Sequence, residues 1–164
     1  MKILPGDFTD PQVIELLRIH LAGMHRSSPK DSVFALDLSG LQSLDISFWT
    51  VWEHDSLLGC GALKELTSDS GELKSMRTHP DHLRRGAARR LLAHLLDLAR
   101  ARGYRRVSLE TGSGEAFEPA LALYRSVGFA NGEAFGGYAS TRFNQFLHLD
   151  LQSAERPAVR QALA

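Results

Sequence analysis

"ELKSMRTHPDHLRRGAARRLLAHLLDLARARGYRRVSLET" (residues 72–111) is the stretch on which the fold turns. Its first seven residues alternate as a strand does, with Glu72, Lys74, Met76 and Thr78 on one face and Leu73, Ser75 and Arg77 on the other. From Ala88 the apolar residues recur at helical spacing, through Leu91, Leu92, Leu95, Leu96 and Ala99, and form one buried stripe. Gly103 follows as a C-terminal cap, and "YRRVSLET" (104–111) resumes as a strand. A strand, a crossover helix and a second strand require the two strands to run parallel.

Upstream, "MKIL" opens as a short strand, and "TDPQVIELLRIHLAGMH" offers Thr9 or Asp10 as a cap, Pro11 in the first turn and an apolar stripe at Val13, Leu16, Leu17 and Leu21. "VFALDLSGLQSL" reads as a short helix or a folded loop. "DISFWTVWE", the turn "HDS" and "LLGCGALKEL" form a hairpin, and "TSDSG" turns again into residues 72–78, so three antiparallel strands follow one another. Downstream, "EAFEPALALYRSVGF" is a second helix closed by Gly128, and "NQFLHLDL" is a last strand with Leu147, Leu149 and Leu151 on one face. The pattern predicts a mixed α/β (α+β) fold in one domain, residues 1–151, on a mostly antiparallel sheet. Residues 152–164 lack an apolar stripe and read as a tail.

With 164 residues, 43% of them hydrophobic, the chain can close one core. Its 19 basic and 19 acidic residues cancel, which argues against a nucleic-acid or anionic membrane partner. Eight arginines do fall between Arg84 and Arg106, but no aromatic residue interleaves them before Tyr104, as base stacking would need. The single Cys60 and the absence of a basic, apolar leader point to a reducing cytoplasm. No apolar run approaches the roughly 20 residues that span a bilayer. The seven histidines show none of the close spacings that metal sites favour, so no metal is expected.

Anion recognition must therefore be local, and "RRGAAR" (84–89) is the place for it. The first turn of a helix presents free amides and the positive end of the helix dipole. Gly86, Ala87 and Ala88 let a ligand come close, while Arg84, Arg85 and Arg89 can add charge-assisted hydrogen bonds. A pyrophosphate is the matching guest.

These residues resemble the GNAT acyltransferases, whose signature is Gln or Arg, two residues, Gly, one residue, then Gly or Ala. Here the register reads "LRRGAA", with Gly86 and Ala88 in place and Leu83 where Gln or Arg is usual. "ELKSMRTHP" is similar to the family's fourth strand and following turn, and "ALALYRSVGF" matches its A-x-x-L-Y-x-x-x-G-F pattern. The resemblance spans residues 1–151. It implies a sheet splayed between the fourth and fifth strands, with acetyl-CoA held there and its acetyl group passed directly to a primary amine of a small molecule, peptide or protein in a ternary complex. A non-catalytic acyl-CoA sensor is the alternative.

By the same resemblance, backbone groups around Met76, Arg77 and Thr78 grip the pantetheine, and an amide there polarises the thioester carbonyl, an effect worth about 3 kcal/mol. Residues 84–89 take the phosphates, and at Phe117, where many members carry an asparagine that contacts the cofactor, that contact is expected to be absent or apolar. Glu72 matches a glutamate that acts as base in some members, and Tyr124 matches the usual tyrosine acid. A base is needed because a lysine-type amine, with a pKa of about 10.4, is charged at neutral pH. Glu110 and Thr111 are expected on the acceptor side, Tyr138 in a glycine-rich loop beside it, and the first helix and "SSPKDSVFALD" around the acceptor pocket. Homodimers are common among similar proteins.

Overall fold

The structure, a computed structural model, describes residues 1–151. The tail expected over 152–164 lies outside the described residues. Strand β1 (Lys2–Pro5) leads into helix α1 (Pro11–Ser27), which starts where the Asp10 carboxylate accepts the Gln12 amide at 2.8 Å and Pro11 occupies the first turn. The "VFALDLSGLQSL" segment resolves into one helical turn, α2 (Leu38–Leu41), capped by Asp37. Strands β2 (Ile46–Glu53), β3 (Ser56–Thr67) and β4 (Ser70–Thr78) form the expected antiparallel run. Helix α3 (Ala87–Ala101) crosses over to β5 (Arg106–Thr111), and β5 pairs with β4 in parallel. Helix α4 (Glu118–Ser126) precedes β6 (Ala130–Asn131) and β7 (Gln145–Asp150). The two-residue β6 has too little sequence to be read as a strand and exists only by pairing with β7.

The seven strands lie in the order β1-β2-β3-β4-β5-β7-β6, antiparallel except for β4 with β5. That parallel pairing covers only Ser70–Glu72 against Arg106–Ser108, after which the two strands separate. One face of the sheet packs on α3 and α4 through Leu58, Leu63, Leu73, Leu91, Leu92, Leu95, Leu109, Leu121 and Leu147. The other face packs on α1 and α2 through Val13, Leu16, Leu17, Leu41, Phe48, Leu57 and Cys60. Each fully buried leucine contributes about 1.5–3 kcal/mol, so the two layers fix the sheet between them. In α3 the inward residue at the first turn is Ala87 and not the expected Ala88, because the apolar stripe begins one residue earlier.

The simple alternation expected for residues 72–78 is broken. Pairing passes from Cys60↔Arg77 to Ala62↔Lys74, so β4 carries one extra residue, with Ser75 at φ 54°. The bulge rotates the strand beyond it. Met76 consequently lies on the α3 face, its sulfur against the position a Gly61 Cβ would occupy, together with Leu91 and Leu95. Arg77 takes the α1 face with Glu72 and Lys74 in place of Met76.

Candidate active site

Where β4 and β5 diverge, the sheet opens into a cavity of about 260 Å³. Its walls come from β4 (Glu72 to Arg77), β5 (Leu109, Glu110, Thr111), the start of α4 with the turn before it (Ala116, Phe117, Ala120, Tyr124), and α1 with the segment after it (His20, Gly23, Met24, Arg26, Ser27, Phe34, Ala35). The short register of the parallel pair makes this space. Past Glu72 the β4 edge has no partner in β5, so its backbone groups face the opening.

Two carboxylates meet here. Glu72, 3% exposed, accepts from Tyr138 Oη at 2.5 Å and from Lys74 Nζ at 3.1 Å, both at Oε1; Lys74 Nζ also donates to Tyr138 Oη at 2.7 Å. Tyr138 reaches in from the loop between β6 and β7, where its ring meets Phe34 edge-on at 5.1 Å. Burial first, and then the hydrogen bond to Glu72, push the Tyr138 hydroxyl well above the ordinary tyrosine range, so it remains a donor. Glu110 differs. Its Oε2 is buried without a hydrogen-bond partner among the described residues, and burial pushes its carboxyl up to about 7, against the pull of Lys74 and with a push from Glu72. Tyr124, 7% exposed, packs edge-on to Phe129. Its hydroxyl has no hydrogen-bond partner among the described residues, and burial raises it above the ordinary tyrosine range.

The basic loop stands at the N-terminus of α3. Gly86 takes φ +82°, a conformation that costs other residues about 1–2 kcal/mol, and Arg84 takes φ 60° beside it. No side chain caps the helix, and nothing among the described residues lies within 4 Å of where a Gly86 Cβ would point. Arg85 pairs with Glu53 and contacts His82, and Arg89 donates to Ser126 Oγ at 3.1 Å. Arg84 makes no side-chain hydrogen bond among the described residues.

This geometry has relatives. The model of the acetyltransferase (GNAT) family matches residues 13–129. The chain belongs to the GNAT acetyltransferase family. An uncharacterized N-acetyltransferase of Bacillus subtilis, YsnE, is 48% identical over 147 residues, which span 90% of this chain and 97% of the relative. Among solved structures, a Klebsiella pneumoniae chain described as an acyl-CoA N-acyltransferase superposes with a TM-score of 0.77 at 27% identity, covering 92% of this chain and 97% of that one. A GNAT family acetyltransferase from Elizabethkingia anophelis with acetyl-CoA bound has a TM-score of 0.67 at 16% identity, covering 92% and 97%, a likeness of fold.

Of the residues singled out in this GNAT sequence, Glu72, Met76, Arg77, Phe117 and Tyr124 line the one cavity, with Glu110 and Thr111 opposite Glu72. Arg84, Arg85, Gly86, Ala87, Ala88 and Arg89 gather instead at the head of α3, beyond Thr78 at the end of β4, outside the cavity lining. Phe117 is buried against Phe143. The pairing of Lys74 with Glu72 is legible from their two-residue spacing on one face of a strand, and the structure shows it at 3.1 Å; the Arg77 side chain and its His20 partner were not foreseen. Among the described residues no cluster of three or more His, Cys, Asp or Glu is arranged to hold a metal ion, and no helix is long and apolar enough to cross a membrane.

Proposed function

We propose that the chain transfers an acetyl group from acetyl-CoA to a primary amine by direct attack in a ternary complex. The carrying observation is the pairing, in one cavity between diverging strands, of the Glu110 carboxyl, one oxygen of which is buried without a partner among the described residues, and the buried Tyr124 phenol, which makes no hydrogen bond among them. The head of α3 suits the phosphates of such a donor. It offers uncapped amides, a dipole, the open approach over Gly86 and the Arg84 charge. Backbone of β4 from Met76 to Thr78 is available for the pantetheine, with Phe117 as an apolar wall. When bound, acetyl-CoA supplies the acetyl group as a thioester.

Glu110 receives the proton of the incoming ammonium, since its carboxyl titrates near neutrality and one oxygen is unclaimed. Glu72, read from the sequence as the base, has Oε1 committed to two donors and acts by adding negative charge beside the ammonium and by anchoring Tyr138. Tyr124 donates a hydrogen bond to the departing sulfur. A thiol titrates at about 8.5, well below a tyrosine raised by burial, so the hydroxyl stabilises the thiolate without surrendering its proton. The reducing compartment implied by the lone, buried Cys60 is the cytoplasm.

Amine-dependent release of free CoA from acetyl-CoA, followed with a thiol reagent across a panel of small amines and N-terminal peptides, tests the reading. Turnover with at least one class of amine is expected. Acetyl-CoA binding with no amine-dependent release from any of them would make the protein a sensor of acyl-CoA.

A further inference from the structure

Arg77 is held on the α1 face of the sheet in a way that leaves one side of its guanidinium unused. Nε donates to His20 Nδ1 at 3.1 Å and Nη2 to the His20 carbonyl at 3.3 Å. His20 is itself buried, and burial, reinforced by the Arg77 charge, pushes it down to about 4, so its ring is neutral and Nδ1 is free to accept. One turn on, α1 carries Gly23, where any Cβ would stand 2.6 Å from Arg77 Nη2. Helix α1 thus supplies two acceptors and a missing side chain, a seat for one edge of the guanidinium.

Among the described residues the other edge has no partner: Nη1 makes no hydrogen bond there, and Arg77 forms no ion pair with any acid. A second cation, Arg26, lines the same cavity and opposes the Arg77 charge. Leaving a half-buried guanidinium beside another positive charge is unfavourable unless an anion arrives. The two cavity acids do not supply it, because Glu72 serves Lys74 and Tyr138, and Glu110 stands on the opposite strand.

We propose that Arg77, seated on His20 and Gly23 and assisted by Arg26, is an anion subsite for a carboxylate carried by the acceptor, which makes the acceptor an amino acid or a similar amine-bearing acid. This rests on the acetyltransferase reading and specifies its substrate class. A planar guanidinium edge matches a carboxylate in bidentate geometry, and the cavity then has opposite polarity at its two ends. The ammonium faces Glu72 and Glu110 while the carboxylate faces Arg77, which orients the nucleophile before it reacts. The phosphates of acetyl-CoA are the other possible anion, but their cradle is on α3, across the sheet from the α1 face that holds Arg77.

The test compares each amino acid with its decarboxylated amine, for example lysine with cadaverine and phenylalanine with phenethylamine, by CoA release. The carboxylate-bearing member of a productive pair should show kcat/KM roughly ten- to hundredfold higher, the range for a charge-assisted hydrogen bond. Arg77→Gln should collapse that ratio toward one by raising the acceptor KM, with the KM for acetyl-CoA changed less. Arg26→Gln, at an exposed position, should reduce the ratio severalfold and keeps the test independent of packing around Arg77. Equal turnover of both members in the wild-type protein overturns the subsite and leaves the acetyltransferase intact. A rise in acetyl-CoA KM with an unchanged ratio assigns Arg77 to the donor and likewise overturns it. No amine-dependent release from any pair overturns both readings.

Discussion

Glu110 and Glu72 are both glutamates on adjacent strands, and their neighbours give them different surroundings. Lys74 and Tyr138 both donate to Glu72, whereas burial without a donor raises the Glu110 carboxyl to about 7. kcat/KM should therefore rise as pH passes through about 7, where Glu110 loses its proton. Glu110→Gln should lower kcat/KM roughly a hundredfold and flatten that limb of the profile. The same shift fixes the sign of a stability effect. A carboxyl whose folded pKa is raised contributes stability that is complete below the ordinary value of 4.5 and lost as pH climbs through about 7. Glu110→Gln should then melt higher than wild type at pH 8 and equal to it at pH 4. Solvent reaches part of the side chain, which limits the gain to about 1 kcal/mol, or about 2–4 °C. Tyr124→Phe should depress kcat between tenfold and a thousandfold while acetyl-CoA still binds, measured by titration alongside steady-state kinetics.

Among the elements, β4 and the head of α3 are the ones to which the proposed reading assigns the substrates. One extra residue at Ser75 turns Met76 toward α3 and Arg77 toward α1, so a strand of ordinary composition presents a different face on each side of the bulge. An alternating pattern in "ELKSMRT" carries no mark of that insertion, because the bulge is set by pairing with β3, 15 or so residues away in the chain. The α3 stripe was legible because helix periodicity is local, and its error was a single residue at the first turn. Gly86→Ala should raise the acetyl-CoA KM about tenfold or more with kcat retained, since the new methyl points into the open approach and the backbone must hold φ +82°. Unchanged KM would show that the donor phosphates bind elsewhere.

For the whole molecule, the sheet is firm where its layers are continuous and open where β4 and β5 part. A ligand bridging the gap would tie the β1–β4 half, with α1, to the β5–β7 half, with α4. Acetyl-CoA at a hundred times its Kd should raise stability by about 2.7 kcal/mol, or roughly 5–10 °C in Tm for a chain of this size. A thermal melt with and without millimolar acetyl-CoA measures it, and desulfo-CoA or adenosine diphosphate alone should give part of the shift through the α3 cradle.

Sequence by itself determined the order of the major elements and the parallel crossover, and it is what put forward the head of α3 for an anion and Glu72 and Tyr124 for the chemistry. All of these rest on local spacing or on motifs a few residues long. Tertiary structure alone decided that Glu72 is engaged by Tyr138 from 66 residues away, that Glu110 keeps an unclaimed oxygen, and that His20 and Gly23 seat Arg77 from 57 and 54 residues distant. Proton affinity and ion pairing depend on which groups share a buried space, and that is settled only when distant segments pack.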